Sequence, residues 1–204
     1  SKKEEIIMRG RSSSFGKKAG GGAKLDLPEL EGSAKQIKWA KDIRQKIIDR
    51  VNQFEKDGKV GDIDGGWDQF SDQQRLSRFA RYTNMGHNAP DDVDFSQFKP
   101  GGVFKGWMKD DLEDFKNFPL SKNEAAVERP AVKNYYNSVM STYNRYAPKG
   151  KYPGKTASRE VRNRYENQEK QAYRKTLATM VRKGLNKETR AAEYIDRYRY
   201  NWDE

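Results

Sequence analysis

The sequence predicts a mainly α-helical protein, about five principal helices joined by long loops behind a disordered basic arm. Three observations lead there. Serine-led capping boxes precede apolar residues spaced three or four apart. Alternating β-branched runs, the signature of strands, do not occur. Leu, Ile, Val and Phe supply only 34 of 204 residues, a composition that leans toward disorder, but 11 Tyr, 9 Phe and 4 Trp oppose that prior. The expectation is a folded body whose thin aliphatic core is thickened by rings, each needing a partner for its polar atom.

Residues 1–24 read as a flexible arm. Gly10, Gly16 and Gly20-Gly21-Gly22 sit among serines and among Lys17, Lys18 and Lys24, with almost nothing to bury. The first helix follows at Ser33, which pairs with Gln36 as a capping box. Ile37, Ala40, Ile43, Ile47, Val51 and Phe54 form its stripe, and Asp57-Gly58 stops it.

The stretch Gly32-Ser33-Ala34-Lys35-Gln36-Ile37-Lys38-Trp39-Ala40-Lys41-Asp42-Ile43-Arg44 resembles a G-S-x-K-Q-I-x-W-A-x-x-I-R segment of uncharacterised proteins from phages and other mobile elements. The resemblance covers residues 32–44 and implies provenance, with no activity attached.

Residues 57–70 form a Gly/Asp loop whose spacing fails as a calcium loop. With Gly65 at the sixth position, Val60 and Ser71 fall where the anchoring carboxylates belong. A second helix starts at Ser71, boxed with Gln74, and ends before Gly86. Leu76, Phe79, Ala80 and Thr83 face inward. Arg75, Arg78 and Arg81 share roughly one side of it. Such a row grips phosphates or pairs with the segment 88–128, where nine acids face five bases. That segment is expected to be loops pinned by Phe95, Phe98, Phe104, Trp107, Phe115 and Phe118, with a short helix at 108–116.

Ser121 and Glu124 cap a short helix that Pro130 is expected to interrupt, because proline pushes the preceding Arg129 out of helical angles. A third principal helix, about 131–146, carries the stripe Val132, Tyr135, Tyr136, Val139, Met140, Tyr143 and Tyr146. The basic loop 147–155 leads into a fourth, about 157–183. Its expected inner face is Val161, Tyr165, Gln168, Ala172, Leu177 and Val181, with Gly184 as stop. A last helix at about 187–202 turns Ala191, Ile195, Tyr198 and Trp202 inward and leaves Arg190, Arg197 and Arg199 available.

The net charge of +11 is unevenly placed. Residues 1–24 carry +5, residues 25–146 carry −1 and residues 147–204 carry +7. The expected organisation is therefore a basic arm, a charge-neutral helical body and a basic C-terminal region packed on that body. This asymmetry favours a polyanion, nucleic acid rather than membrane, since no apolar run exceeds three residues. The phosphate-contacting candidates are Lys17, Lys18, Lys149, Lys151, Lys155, Arg159, Arg162, Arg164, Arg174 and Lys175, with Arg75, Arg78 and Arg81 as a secondary row.

Chemistry finds little support. The chain has no Cys and one His, which removes thiolate and multi-histidine metal sites. His87 lacks an organising partner motif. Gly154-Lys155-Thr156 resembles the end of a P-loop, but the required earlier glycine is Lys149 and a helix precedes the loop. The sequence thus predicts a protein without catalysis, metal or cofactor that binds DNA or RNA in the host cytoplasm or the virion. The competing expectation is a protein-directed phage factor, either an inhibitor of a host defence ribonucleoprotein (an anti-CRISPR role) or a virion component.

Overall fold

Capping and apolar spacing set where the helices begin. In the computed structural model, residues 23–60, 71–86 and 95–200 are described. Six helices stand among them and no strand; the one β-bridge joins Glu31 to Arg190. The protein is mainly α-helical. Most of the expected arm lies outside the described residues, as do the Gly/Asp loop from residue 61, His87 and Trp202.

Helix α1 (Ala34–Asp57) has the expected box: the Gln36 amide donates to Ser33 Oγ at 3.3 Å, and the Ser33 amide donates to Gln36 Oε1 at 3.0 Å. Ala40, Ile43, Ile47, Val51 and Phe54 are buried, joined by Ile48, while Ile37 is half-buried. Gly58 closes the helix by donating to the Phe54 carbonyl. Helix α2 (Ser71–Met85) buries Leu76, Phe79 and Ala80 and ends before Gly86, whose φ of +92° suits a glycine stop. Helix α3 (Phe104–Lys116) starts four residues ahead of the expected 108 because Phe104 and Met108 already face the core. It is the sixth helix beside the five principal ones.

Three further expectations about helix bounds fail. Pro130 does not divide its region: α4 runs unbroken over Lys122–Tyr146, with Ser121 and Glu124 making the anticipated box. Both Pro130 and Ala126, whose carbonyl the missing N–H leaves unbonded, are exposed, so water can take the bond that the helix loses. Helix α5 (Arg159–Lys187) runs through Gly184 instead of stopping there. Gly184 is a crossing point, where an added Cβ would strike the Thr83 side chain of α2. The last helix, α6, is correspondingly short, Ala191–Tyr198. Asn186 does not start it; its side chain ties down the entering chain, donating to the Lys24 carbonyl at 2.9 Å and accepting from the Asp26 amide at 2.8 Å.

The second half of α5 is the centre of the protein. It packs against α1, α2 and α4, while α6 packs on α1 and α3 on α4. From Thr176 to Arg182 every residue is buried, so no single stripe describes it. In the first half, Val161 and Gln168, expected to face inward, are exposed, and Glu169 is the one buried residue ahead of Ala172. Rings thicken the core as the composition requires. Tyr173 is fully buried, stacks on Phe98 at 4.7 Å and donates its hydroxyl to the Phe95 carbonyl at 2.6 Å. Phe98 also meets Phe104 at 5.1 Å. The loop before α3 is therefore pinned by aromatics, as expected. One buried ion pair, Arg182 to Glu55 at 2.6 Å with Asn52 accepting a second bond at 3.0 Å, locks α5 to α1.

Candidate nucleic-acid interface

The basic loop after α4 is built by its neighbours. Ala147 ends α4 by donating to Tyr143, and Gly150 turns the chain at φ +85°. Two tyrosines then clamp the loop to the exposed end of α5. The Tyr152 hydroxyl donates to Glu166 at 2.7 Å, and the Tyr165 hydroxyl donates to the Gly150 carbonyl at 3.2 Å. Their rings meet edge to face at 5.5 Å. Ser158 caps α5 by accepting from the Val161 amide.

Lys149, Lys151 and Lys155 are exposed on this loop, and Arg159 and Arg164 are exposed on the first turns of α5. Arg162 and Arg174 are half-buried, and Lys175 is exposed with its ammonium 5.3 Å above the Tyr146 ring. The helix does not gather its cations onto one line. At about 100° per residue, Arg162, Arg159 and Arg174 fall within about 120°, while Arg164 and Lys175 lie together about 140–160° from Arg159. The loop lysines adjoin the first group, because Tyr152 lies against the Arg162 and Glu166 side of the helix. Lys17 and Lys18 lie outside the described residues.

The secondary row on α2 is also split. Arg78 is exposed, Arg75 stands 4.0 Å from Asp72, and Arg81 is turned inward with 5% exposure. Arg78 and Arg81 lie over the Tyr82 ring at 5.6 and 4.9 Å, and Arg197 approaches the same ring at 4.8 Å while it pairs with Glu193. Arg81 is thus absorbed into packing, while Arg75, Arg78 and Arg197 are each held beside a carboxylate or a ring. Arg190 and Arg199, expected to be available, stand near Glu193 at 3.7 Å and over the Trp39 and Tyr200 rings respectively.

A cleft of about 370 Å³ opens beside the basic loop. Its walls are Gly101 and Gly102, Phe104 and Lys105 of α3, Tyr143 at the end of α4, Ala147, Pro148, Gly150, Lys151 and Tyr152 of the loop, and Tyr165 and Glu169 of α5. Glu169 is buried, with each carboxylate oxygen accepting one backbone N–H, from Gly101 at 2.6 Å and Gly102 at 2.7 Å. Burial pushes its pKa up, against the pull of those two N–H donors. The Tyr143 and Tyr165 hydroxyls are held protonated to higher pH, by burial first and the nearby Glu169 second. Tyr152 is raised as well, chiefly by its bond to Glu166.

Local spacing along the chain picks out Lys149, Lys151 and Lys155 but not the cleft. Lys105 joins Lys151 at its rim although it belongs to the acidic segment, and Glu169 has the look of a local charge-pairing residue. Only the fold brings residues 101–105, 143–152 and 165–169 together.

Residues 32–44 resolve into ordinary structural roles with one exception. Gly32 packs on Ala191, Ser33 and Gln36 cap, Ala40 and Ile43 are buried, and Arg44 donates to the Pro28 carbonyl at 2.8 Å. Trp39 stands out with 43% exposure, Arg199 lying 5.9 Å from its ring and 4.4 Å from that of Tyr200. Among the described residues no helix is long and apolar enough to cross a membrane. No protein-family model, curated protein or solved structure matches the chain.

Proposed function

We propose that the protein is a non-catalytic nucleic-acid-binding protein of a phage or mobile element, which grips phosphates with its basic loop and the start of α5. The observation that carries this reading is the run of exposed cations, Lys149, Lys151, Lys155 and Arg159, beside a ring-lined cleft whose rim adds Lys105. Phosphates need cations free to approach them, and rings beside those cations suit bases. The split rows elsewhere offer less: their guanidinium groups are already engaged with Tyr82, Asp72 and Glu193.

The test is the salt dependence of binding to a short oligonucleotide. Neutralising Lys149, Lys151, Lys155, Arg159 and Arg162 together lowers the slope of log K against log salt by about 0.7–0.9 for each phosphate that the variant no longer neutralises. An unchanged slope overturns the assignment.

A second reading, a protein-directed phage factor acting on a host ribonucleoprotein or in the virion, has one observation in its favour. The exposed rings of Trp39 and Tyr200 flank the half-buried Arg199, and these residue types anchor protein interfaces. Nuclease digestion of the purified native complex separates the two. A protein partner that survives digestion and is missing from the Trp39→Ala complex supports the second, and a partner released by digestion supports the first.

A further inference from the structure

We propose that the cleft between α3, the basic loop and α5 receives one unpaired guanine, so that the protein reads single-stranded nucleic acid at this point. The inference rests on the binding reading above and adds a ligand to it. Four features of the cleft lead to it.

The first is size. At about 370 Å³ the cleft lies near the lower end of the range for small-molecule sites, enough for a base with its sugar and too little for a large cofactor. The second is lining. Phe104, Tyr152 and Tyr165 supply ring surface, and Tyr152 and Tyr165 are only half-buried, so their rings remain accessible to a ligand. The third is the charge at the mouth. Lys105 of α3 and Lys151 of the basic loop both line the cleft and are both exposed, available to the phosphates on either side of an inserted nucleotide.

The fourth is Glu169, which selects the base. A carboxylate only accepts hydrogen bonds, and each oxygen has more than one acceptor site. Gly101 and Gly102 take one site on each oxygen. A ligand completing the group must bring adjacent N–H donors. Guanine has that pair on its Watson–Crick edge, N1–H beside the 2-amino group. Adenine and cytosine offer one amino group each on that edge, and uracil and thymine one ring N–H. Because a paired guanine spends both donors on cytosine, the cleft requires an unpaired one. The burial that raises the Glu169 pKa is offset by such a ligand, since two more donors favour the ionised form.

The test uses the full chain with oligothymidylate 12-mers carrying one central guanine, inosine, adenine or no purine, and with the guanine 12-mer annealed to its complement. The guanine strand is expected to bind about tenfold more tightly than the plain thymidylate strand. Inosine, which lacks only the 2-amino donor, should lose most of that gain, and the duplex all of it. The inosine substitution changes the ligand alone, so its outcome does not depend on any disturbance of the bonds from Gly101 and Gly102 to Glu169. On the protein side, Lys105→Ala with Lys151→Ala should weaken the guanine strand more than the duplex. Equal affinity for guanine, inosine and adenine strands overturns the inference while salt-dependent binding of all of them leaves the binding reading intact. Failure of every strand to bind at low salt overturns both.

Discussion

Glycine 184 shows how one residue can be misread from sequence and what corrects it. A glycine after an apolar stripe, followed shortly by Asn and Lys, has the form of a helix stop, yet α5 continues to Lys187. The residue is glycine because α2 crosses there: a Cβ would run into Thr83, whose hydroxyl already donates to the Phe79 carbonyl at 2.6 Å. Gly184→Ala therefore sets about 1 kcal/mol of helix propensity against an overpacked contact costing about 1–3 kcal/mol. Net destabilisation is expected, read as a lower urea midpoint at unchanged slope; a raised midpoint would show that α2 can shift aside. Arg182 gives a larger residue-scale effect. Arg182→Ala leaves Glu55, whose side chain is 14% exposed, without its partner, and a loss of about 3–5 kcal/mol is expected by the same measurement. Replacing both, as Arg182→Met with Glu55→Leu, should recover most of that loss, because the cost lies in the orphaned charge more than in the missing pair.

At the scale of elements, the serine-capped starts and the stops at Gly58 and Gly86 were legible, while the passage through Pro130 and Gly184 was not. Ser33 with Gln36 and Ser121 with Glu124 bond in the structure as their spacing implies, because a cap is decided within four residues. The fate of Pro130 is decided by what surrounds the turn. Its ring and the carbonyl it frees face solvent, so α4 tolerates it without profiting from it. Pro130→Ala is then expected to stabilise the protein by about 1–2 kcal/mol, the helical penalty of proline less its restraint on the unfolded chain. Thermal unfolding checks this. A lower midpoint would mean that the part of Pro130 in the groove it lines with Leu112 and Phe115 outweighs the backbone term. The candidate site divides along the same line. Its lysines were visible as a basic loop of nine residues, but Lys105 and Glu169 lie 46 and 18 residues from Lys151 along the chain, outside that loop. What local spacing cannot carry is a cleft assembled from three separate segments.

At the scale of the molecule, the low aliphatic content becomes an architectural fact. The second half of α5 is enclosed by α1, α2 and α4, and the connection ahead of α3 is bound to this centre through rings in place of a helix. Phe98 is central to that arrangement, fully buried against Tyr173 at 4.7 Å, Phe104 at 5.1 Å and Tyr143 at 6.3 Å. The same connection carries Gly101 and Gly102 to Glu169, so packing and the cleft depend on one segment. Phe98→Ala should cost about 3–5 kcal/mol, the range for an aromatic truncated in a close-packed core. The form of the transition is the more informative readout. If these rings belong to one core with α5, circular dichroism and tyrosine fluorescence will still report a single coincident transition at lower denaturant. If residues 95–103 are instead a separately melting flap, fluorescence will change first and the helical signal will keep its original midpoint. The shared burial of Tyr173, bonded to the Phe95 carbonyl and lying on the central helix, favours the single transition. In the loosened variant, binding that depends on the cleft and binding through the exposed Lys149 and Lys155 should then be lost together at the one lowered midpoint, whereas a separately melting flap would lose the first before the second.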